Sequence, residues 1–200
     1  MHLLIATTNP GKVREYRQLL DGLGCELVSL PEAGITHEVS ETGTTYEENA
    51  LLKAREYAAF SGLLTLADDS GLEVDALEGR PGVHSARYAP DSPARIRRLL
   101  AEMHDIPAER RTARFQCVIA LAWPDGRTEI TVGTCEGWIT TEARGNNGFG
   151  FDPVFHVPEC GVTMAELPED VKNQLSHRAQ AAHKMRSVLE RALREFLSEK

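Results

Sequence analysis

The doublet Asp68-Asp69, followed by Ser70-Gly71, comes directly after the apolar run Leu63–Ala67. Two adjacent carboxylates at what reads as the end of a buried strand repel one another unless a cation or a proton stands between them. In α/β folds ligands gather at the carboxyl ends of strands. Oxygen donors of this type suit Mg2+, which takes one or two carboxylates and fills its shell with water and substrate phosphates. Glu38, Glu41, Glu47 and Glu48 could each supply a further donor, and spacing does not choose among them. The plainer alternative is a solvated acidic turn.

A second candidate is Thr7-Thr8-Asn9-Pro10-Gly11-Lys12, which leaves one apolar run and opens a helical pattern. Amides at a helix N-terminus favour anions, and a lysine there adds a full charge. A Walker A loop is excluded, because that motif needs Gly where Ala6 stands and Ser or Thr where Val13 stands. A different phosphate loop, or an ordinary strand–turn–helix connection, fits the pattern.

The third is Gly145-Asn146-Asn147-Gly148-Phe149-Gly150-Phe151-Asp152-Pro153. Its glycines permit close backbone approach, its two phenylalanines offer flat apolar faces, and Asp152 offers an acceptor. That combination suits a purine better than a sugar; two core aromatics in a glycine-rich turn is the competing reading. The fourth joins Lys172 to Ser176-His177-Arg178. Cations in the first turn of a helix oppose its dipole, which hints at an anionic or carbonyl-bearing ligand.

These residues need a scaffold, and the hydrophobic pattern supplies one. Leu3–Ala6 and Leu63–Ala67 read as short buried strands, and Glu26–Leu30 as an extended segment. A helix is predicted from Lys12, with Val13, Tyr16, Leu19 and Leu20 on one face and Gly22 ending it. Thr45-Tyr46-Glu47-Glu48 is a capping box, and Gly62 closes the helix that it opens. Pro31–Gly43 and Glu78–Pro90 read as loops, and Ser92–Met103 as a helix. Arg114–Trp123 and Thr128–Trp138, joined by Pro124-Asp125-Gly126, predict a hairpin. Ser176 can cap a last helix with Ala182, Met185, Leu189, Ala192, Leu193 and Phe196 facing inward. Helices alternating with strands, then a hairpin, predict a mixed α/β sheet with helices on its faces.

The 200 residues suit a single domain, 1–200, able to bury a core without staples. With 22 Lys+Arg against 30 Asp+Glu, the net charge of −8 is the wrong sign for a duplex nucleic-acid binder. Cys25, Cys117, Cys135 and Cys160 show no C-x-x-C spacing, so they predict thiols in a reducing cytosol rather than a zinc site. The opening apolar stretch is too short, and lacks the basic flank, for a secretory signal. No apolar run approaches the ~18 residues of a membrane span. A cytoplasmic protein is expected, with no nucleic-acid or membrane partner. G-x-S-x-G and H-E-x-x-H are absent, which removes the common serine-hydrolase and zinc-protease patterns.

Taken in order, the segments resemble the inosine/xanthosine triphosphate pyrophosphatase family, which acts on non-standard purine nucleotides. The resemblance runs over nearly the whole chain. It rests on Thr7–Lys12, Glu41-Thr42-Gly43, Glu48-Asn49-Ala50 with Lys53-Ala54, Ala67–Leu72, Pro81-Gly82 with Ser85-Ala86-Arg87-Tyr88, Gly148–Pro153 and Ser176-His177-Arg178. Phe151 stands where the family often has Tyr. The resemblance implies an elongated central sheet in two lobes with the active-site cleft between them, and a homodimer. It implies Mg2+-dependent hydrolysis of ITP, dITP or XTP to the monophosphate and pyrophosphate, which clears these nucleotides from the pool. By position, Thr7, Thr8, Asn9, Pro10, Gly11 and Lys12 bind phosphates. Asp69 and Glu41 hold or orient Mg2+, Asp69 acts as general base on water, and Asp68 and Lys53 support them. Ser70 touches substrate, while Phe149, Gly150, Phe151, Asp152, Lys172, His177 and Arg178 form the base and sugar pocket.

Two rivals stand beside that reading. A Maf-like nucleotide pyrophosphatase shares the opening strand–loop–helix but not the Phe149–Asp152 and Ser176–Arg178 motifs. A non-catalytic nucleotide sensor would not need Glu41, Asp68 and Asp69 beside a triphosphate.

Overall fold

Strand β1 (His2–Ile5) turns three apolar residues inward and pairs in parallel with β2 (Glu26–Ser29) on one side and β3 (Leu64–Val74) on the other. The computed structural model describes residues 1–198, with side chains through Glu195. One seven-stranded sheet has the order β2-β1-β3-β4-β5-β6-β7, with β4 at Thr112–Ala122, β5 at Thr128–Ile139, β6 at Phe155–Val157 and β7 at Val162–Thr163. The β5–β6 and β6–β7 pairs are antiparallel, so the sheet is mixed. Among the described residues five α-helices accompany it: α1 (Pro10–Leu19), α2 (Tyr46–Ser61), α3 (Ser92–Glu102), α4 (Glu169–Leu175) and α5 (His177–Ser198). The expected α/β class is the class observed.

The chain divides into two compact units. The first holds residues 1–69, 117–133 and 178 onward; the second holds 70–116 and 134–177. In the first, alternate strand residues Leu3 and Ile5, Leu64 and Leu66, and Ile119 and Leu121 share a core with Tyr16 of α1 and Ala182, Met185, Leu189 and Ala192 of α5. Leu193 is half-buried beside that stripe, and Phe196 lies outside the described side chains. In the second, Leu72 and Val74 pack with Leu99 and Met103, and with Phe151, Phe155 and Met164. No helix among the described residues is long and apolar enough to cross a membrane.

Local chemistry explains several boundaries. Thr45 and Glu48 form the expected reciprocal cap of α2, and Gly62 ends it in the left-handed region at φ 66°. Helix α1 starts at Pro10, two residues before the predicted Lys12, because Asn9 caps it and Pro10 fits its first turn. The loop expected at 78–90 contains a 3-10 turn at Gly82–Arg87. The acidic doublet does not end a strand: β3 runs through it to Val74. Leu72 and Val74 restore the buried alternation beyond Gly71, and this rewards extended backbone across the acids. β3 does leave β1 behind before the doublet, since the last residue of β1, Ile5, pairs with Leu66.

Candidate active site

The loop from Thr7 to Lys12 is held by its own side chains. Asn9 Oδ1 accepts from the amides of Gly11 at 2.8 Å and Lys12 at 3.3 Å, while Thr7 Oγ1 accepts from the Asn9 amide at 3.2 Å. Pro10 has no N–H to offer. The helix-terminal amides that the sequence offered to an anion are therefore engaged by the cap. Thr8 and Pro10 are exposed. The cationic contribution comes from Lys12, whose Nζ lies 2.9 Å from Asp68 Oδ2.

Asp68 is buried, and two cations meet on one of its oxygens. Arg178 Nη2 reaches Oδ2 at 3.3 Å, beside Lys12. Arg178 also donates from Nη1 to Glu15 at 2.6 Å, and the buried thiol of Cys117 donates to Asp68 at 3.7 Å. Burial alone would raise the Asp68 pKa, but Lys12, Arg178 and Lys53 outweigh it and hold the carboxyl well below the usual aspartate range. The same balance lifts Arg178, where the carboxylates of Asp68 and Glu15 overcome burial. Arg178 thus pairs with the acids Asp68 and Glu15.

Asp69 has different neighbours. Asn49 of α2 donates to its Oδ2 at 3.0 Å, and Lys53 Nζ stands 3.9 Å from its Oδ1. Lys53 also donates to Glu41 and, at 2.7 Å, to the Asp68 carbonyl. Burial raises the Asp69 pKa above the ordinary aspartate value, and Lys53 and Lys12 only partly offset it. A carboxylate biased toward taking up a proton is the form a general base needs. Of the four glutamates that spacing left open, Glu41 is the one tied to Lys53 in this cluster.

In the second unit, Asp152 accepts from the Phe149 amide at 2.8 Å and from Lys172 Nζ at 2.7 Å. Lys172 comes from α4, a helix the sequence reading did not separate from its surroundings. Its ammonium also sits 5.2 Å from the Phe149 ring centroid. Gly148 makes this pair possible: its φ is +73°, and a Cβ there would lie 2.0 Å from Asp152 Oδ2. The two phenylalanines separate in role. Phe149 is half-buried over Lys172, whereas Phe151 is 4% exposed and packed in the core near Tyr88, so its ring is not the open face the sequence suggested. Gly150, at φ +66°, adjoins open space. His177 opens α5, and its imidazole stacks on Phe115 at 4.7 Å and 13°. Ser70 is half-buried on β3.

Sequence reasoning did not place Asn49, Glu15 or Cys117 in a site. Asn49 stood within a quoted motif, but nothing local distinguishes it from a surface amide. Glu15 joins a residue 163 positions away, a pairing that no spacing rule reaches.

The donor set has a further property. Lys12, Lys53 and Arg178 pair with the carboxylates of Asp68, Asp69, Glu15 and Glu41. Asp69 and Glu41 present hard oxygen donors suited to a divalent cation. Among the described residues no three His, Cys, Asp or Glu side chains gather as a dedicated cage. The arrangement fits a cation whose shell substrate oxygens and water would complete.

Comparison with known proteins finds relatives over nearly the full length of the chain. The Ham1 family profile covers residues 3–188. A dITP/XTP pyrophosphatase of Symbiobacterium thermophilum is 55% identical over 181 residues, 90% of this chain and 90% of its own. The dITP/XTP pyrophosphatase of Bacillus subtilis is 48% identical over 190 residues, 94% of this chain and 96% of its own. Among solved structures, a HAM1 protein from Coxiella burnetii aligns with a TM-score of 0.85 at 40% identity, over 94% of this chain and 98% of that one. A nucleoside-triphosphatase / dITP/XTP pyrophosphatase from Mycobacterium abscessus aligns at 0.74 and 44% identity, over 92% and 98%. The chain belongs to the Ham1 family.

Proposed function

We propose that this protein hydrolyses non-standard purine nucleoside triphosphates, dITP, ITP and XTP, to the monophosphate and pyrophosphate, and so clears them from the nucleotide pool. The observation that carries this reading is the geometry of the acidic doublet: Lys12 at 2.9 Å and Arg178 at 3.3 Å meet on Asp68, while Asn49 at 3.0 Å and Lys53 at 3.9 Å face Asp69. Adjacent acids with separated tendencies divide into an electrostatic anchor and a base. The relatives' shared name supplies the substrate class.

In this reading Lys12 and Lys53 offset phosphate charge, and Asp68, itself held by Arg178, fixes Lys12. Asp69 takes a proton from a water that attacks a phosphorus atom flanking the α–β bridging oxygen; the new P–O bond forms as that bridging P–O bond breaks, and the monophosphate and pyrophosphate part. Positioning and charge stabilisation do most of the work in such a displacement. Asp69 and Glu41 are the residues to hold Mg2+. When bound, Mg2+ offsets polyphosphate charge and polarises the phosphoryl group under attack. Phe149, Asp152, Lys172 and His177 serve the base and sugar. A donor fixed toward the 6-oxo group of inosine or xanthine is left unpaired by the 6-amino group of adenine, a mismatch worth ~10⁴-fold in a buried site.

The family profile runs through both units, which supports treating residues 1–200 as one catalytic domain. Four free cysteines suit a cytoplasmic setting. A homodimer is proposed on the family likeness alone, and light scattering tests it. The deciding experiment supplies dITP, ITP, XTP, GTP and ATP with and without Mg2+ and resolves pyrophosphate from orthophosphate. Metal-dependent pyrophosphate from the first three substrates, with little from GTP or ATP, is the expected result. Orthophosphate, or binding without product, overturns it.

A further inference from the structure

Helix α2 carries Asn49, Lys53 and Tyr57 at successive four-residue intervals, so all three rise from one helix face. Each grips the irregular segment that precedes the helix. Tyr57 donates to the His37 carbonyl at 3.1 Å and accepts from the Val39 amide at 3.3 Å. Lys53 holds Glu41. Asn49 Oδ1 accepts from the Gly43 amide at 2.8 Å. The segment bearing Glu41 is thereby fastened at 37, 39, 41 and 43.

Asn49 does one thing more. It is fully buried, and its Nδ2 donates to Asp69 Oδ2 at 3.0 Å. Because the Gly43 N–H can only donate, it fixes which end of the amide is oxygen, and the NH2 end must then face Asp69. One planar group thus sets the Asp69 carboxylate against the backbone of the Glu41 segment. Gly43 leaves room for this contact alone: a Cβ there would stand 2.6 Å from Glu48 Cβ and 2.7 Å from Asn49 Oδ1.

We infer that Asn49 is a positioning residue for the reaction, an amide strut that holds the Asp69 carboxylate in register with Glu41. The inference rests on the proposed pyrophosphatase reading, because it assigns Asp69 and Glu41 to the chemistry.

The test uses Asn49→Leu, which keeps the volume and removes both hydrogen bonds, and Gly43→Ala, which keeps Asn49 but displaces its partner. Thermal melting first establishes that each variant is folded. The expected kcat for dITP falls about 100-fold in Asn49→Leu and about tenfold in Gly43→Ala, the scale set by misplacing a reacting group by about an ångström. KM stays within about threefold. Nucleotide affinity measured calorimetrically with Ca2+ in place of Mg2+ also stays within about threefold, because the phosphate and base contacts are untouched. The double variant is no slower than Asn49→Leu, since both act through one contact. Should Asn49→Leu fail to fold, Gly43→Ala carries the test alone. A folded variant with wild-type kcat, or one whose loss is wholly in KM, overturns the inference. Wild-type protein without any triphosphate cleavage overturns the pyrophosphatase reading instead.

Discussion

Asp68 and Asp69 are consecutive on β3 yet project to opposite faces of the sheet. Asp68 shares its parity with Leu64 and Leu66 and meets Lys12 of α1 and Arg178 of α5. Asp69 points the other way, to Asn49 and Lys53 of α2. The period-two geometry of a strand lets one dipeptide sample two environments, and this explains how neighbouring carboxyls acquire opposite biases.

Asp69→Asn is expected to abolish turnover while preserving, or slightly raising, stability at neutral pH. The folded state disfavours the charged Asp69, so its ionised form costs stability above the folded pKa; below the unfolded value, about 3.9, both states are protonated and the cost vanishes. Asparagine keeps the acceptor for Asn49 without that cost. Melting curves at pH 7 check the sign, and a clear fall in Tm would contradict it.

Asp68 behaves in the reverse sense. Its folded pKa is depressed, so its contribution is fully present above the unfolded value of about 3.9 and is lost as pH falls through the folded value. Asp68→Asn is expected to destabilise the protein at pH 7, with the gap to wild type narrowing only below about pH 4. Urea midpoints between pH 7 and pH 3 measure this, and a gap independent of pH would refute it.

Lys12→Ala removes one of the two cations on Asp68 and leaves Arg178 in place. The expected consequence is a KM for dITP raised about ten- to hundredfold, the value of a charge-assisted hydrogen bond, with a smaller change in kcat. Steady-state kinetics decide it, and an unchanged KM removes Lys12 from phosphate binding.

Asp152→Ala leaves the Lys172 ammonium buried without its carboxylate. Stranding one member of a buried pair costs about 3–5 kcal/mol. In a chain of this size that corresponds to a Tm lower by roughly 10 °C. The variant also removes the acceptor for the Phe149 amide, so poorer selection among purine triphosphates is expected beside the lower Tm.

What the sequence disclosed was mostly local. The cap of α2 needs Thr45 and Glu48 three positions apart, and it forms as read. The hairpin around 124–126 is closed by Trp123 donating to the Arg127 carbonyl at 3.0 Å. The family likeness named the acids, the first loop and the histidine–arginine pair, and of these the structure brings Lys12, Asp68 and Arg178 together. What escaped depends on distant chain. β3 continues past Asp69 because Leu72 and Val74 find a core made of α3 and residues beyond 150. Phe151 looked like a ligand platform, but that same core claims it. Asn49 gains its role only through Asp69, twenty residues on, and Glu15 only through Arg178.

The discontinuous build of the first unit sets a timetable for synthesis. Arg178 lies 110 positions after Asp68 and 163 after Glu15. At about 10 residues per second a ribosome needs roughly ten seconds to travel from the second acid to its cation. Until then the nascent chain holds two inward-facing carboxylates lacking their shared guanidinium, and α5 has not yet arrived to cover the face bearing Leu3, Leu64 and Ile119. A chain cut short before the last helix therefore lacks both the guanidinium that pairs Glu15 with Asp68 and the apolar face that Leu3, Leu64 and Ile119 pack against.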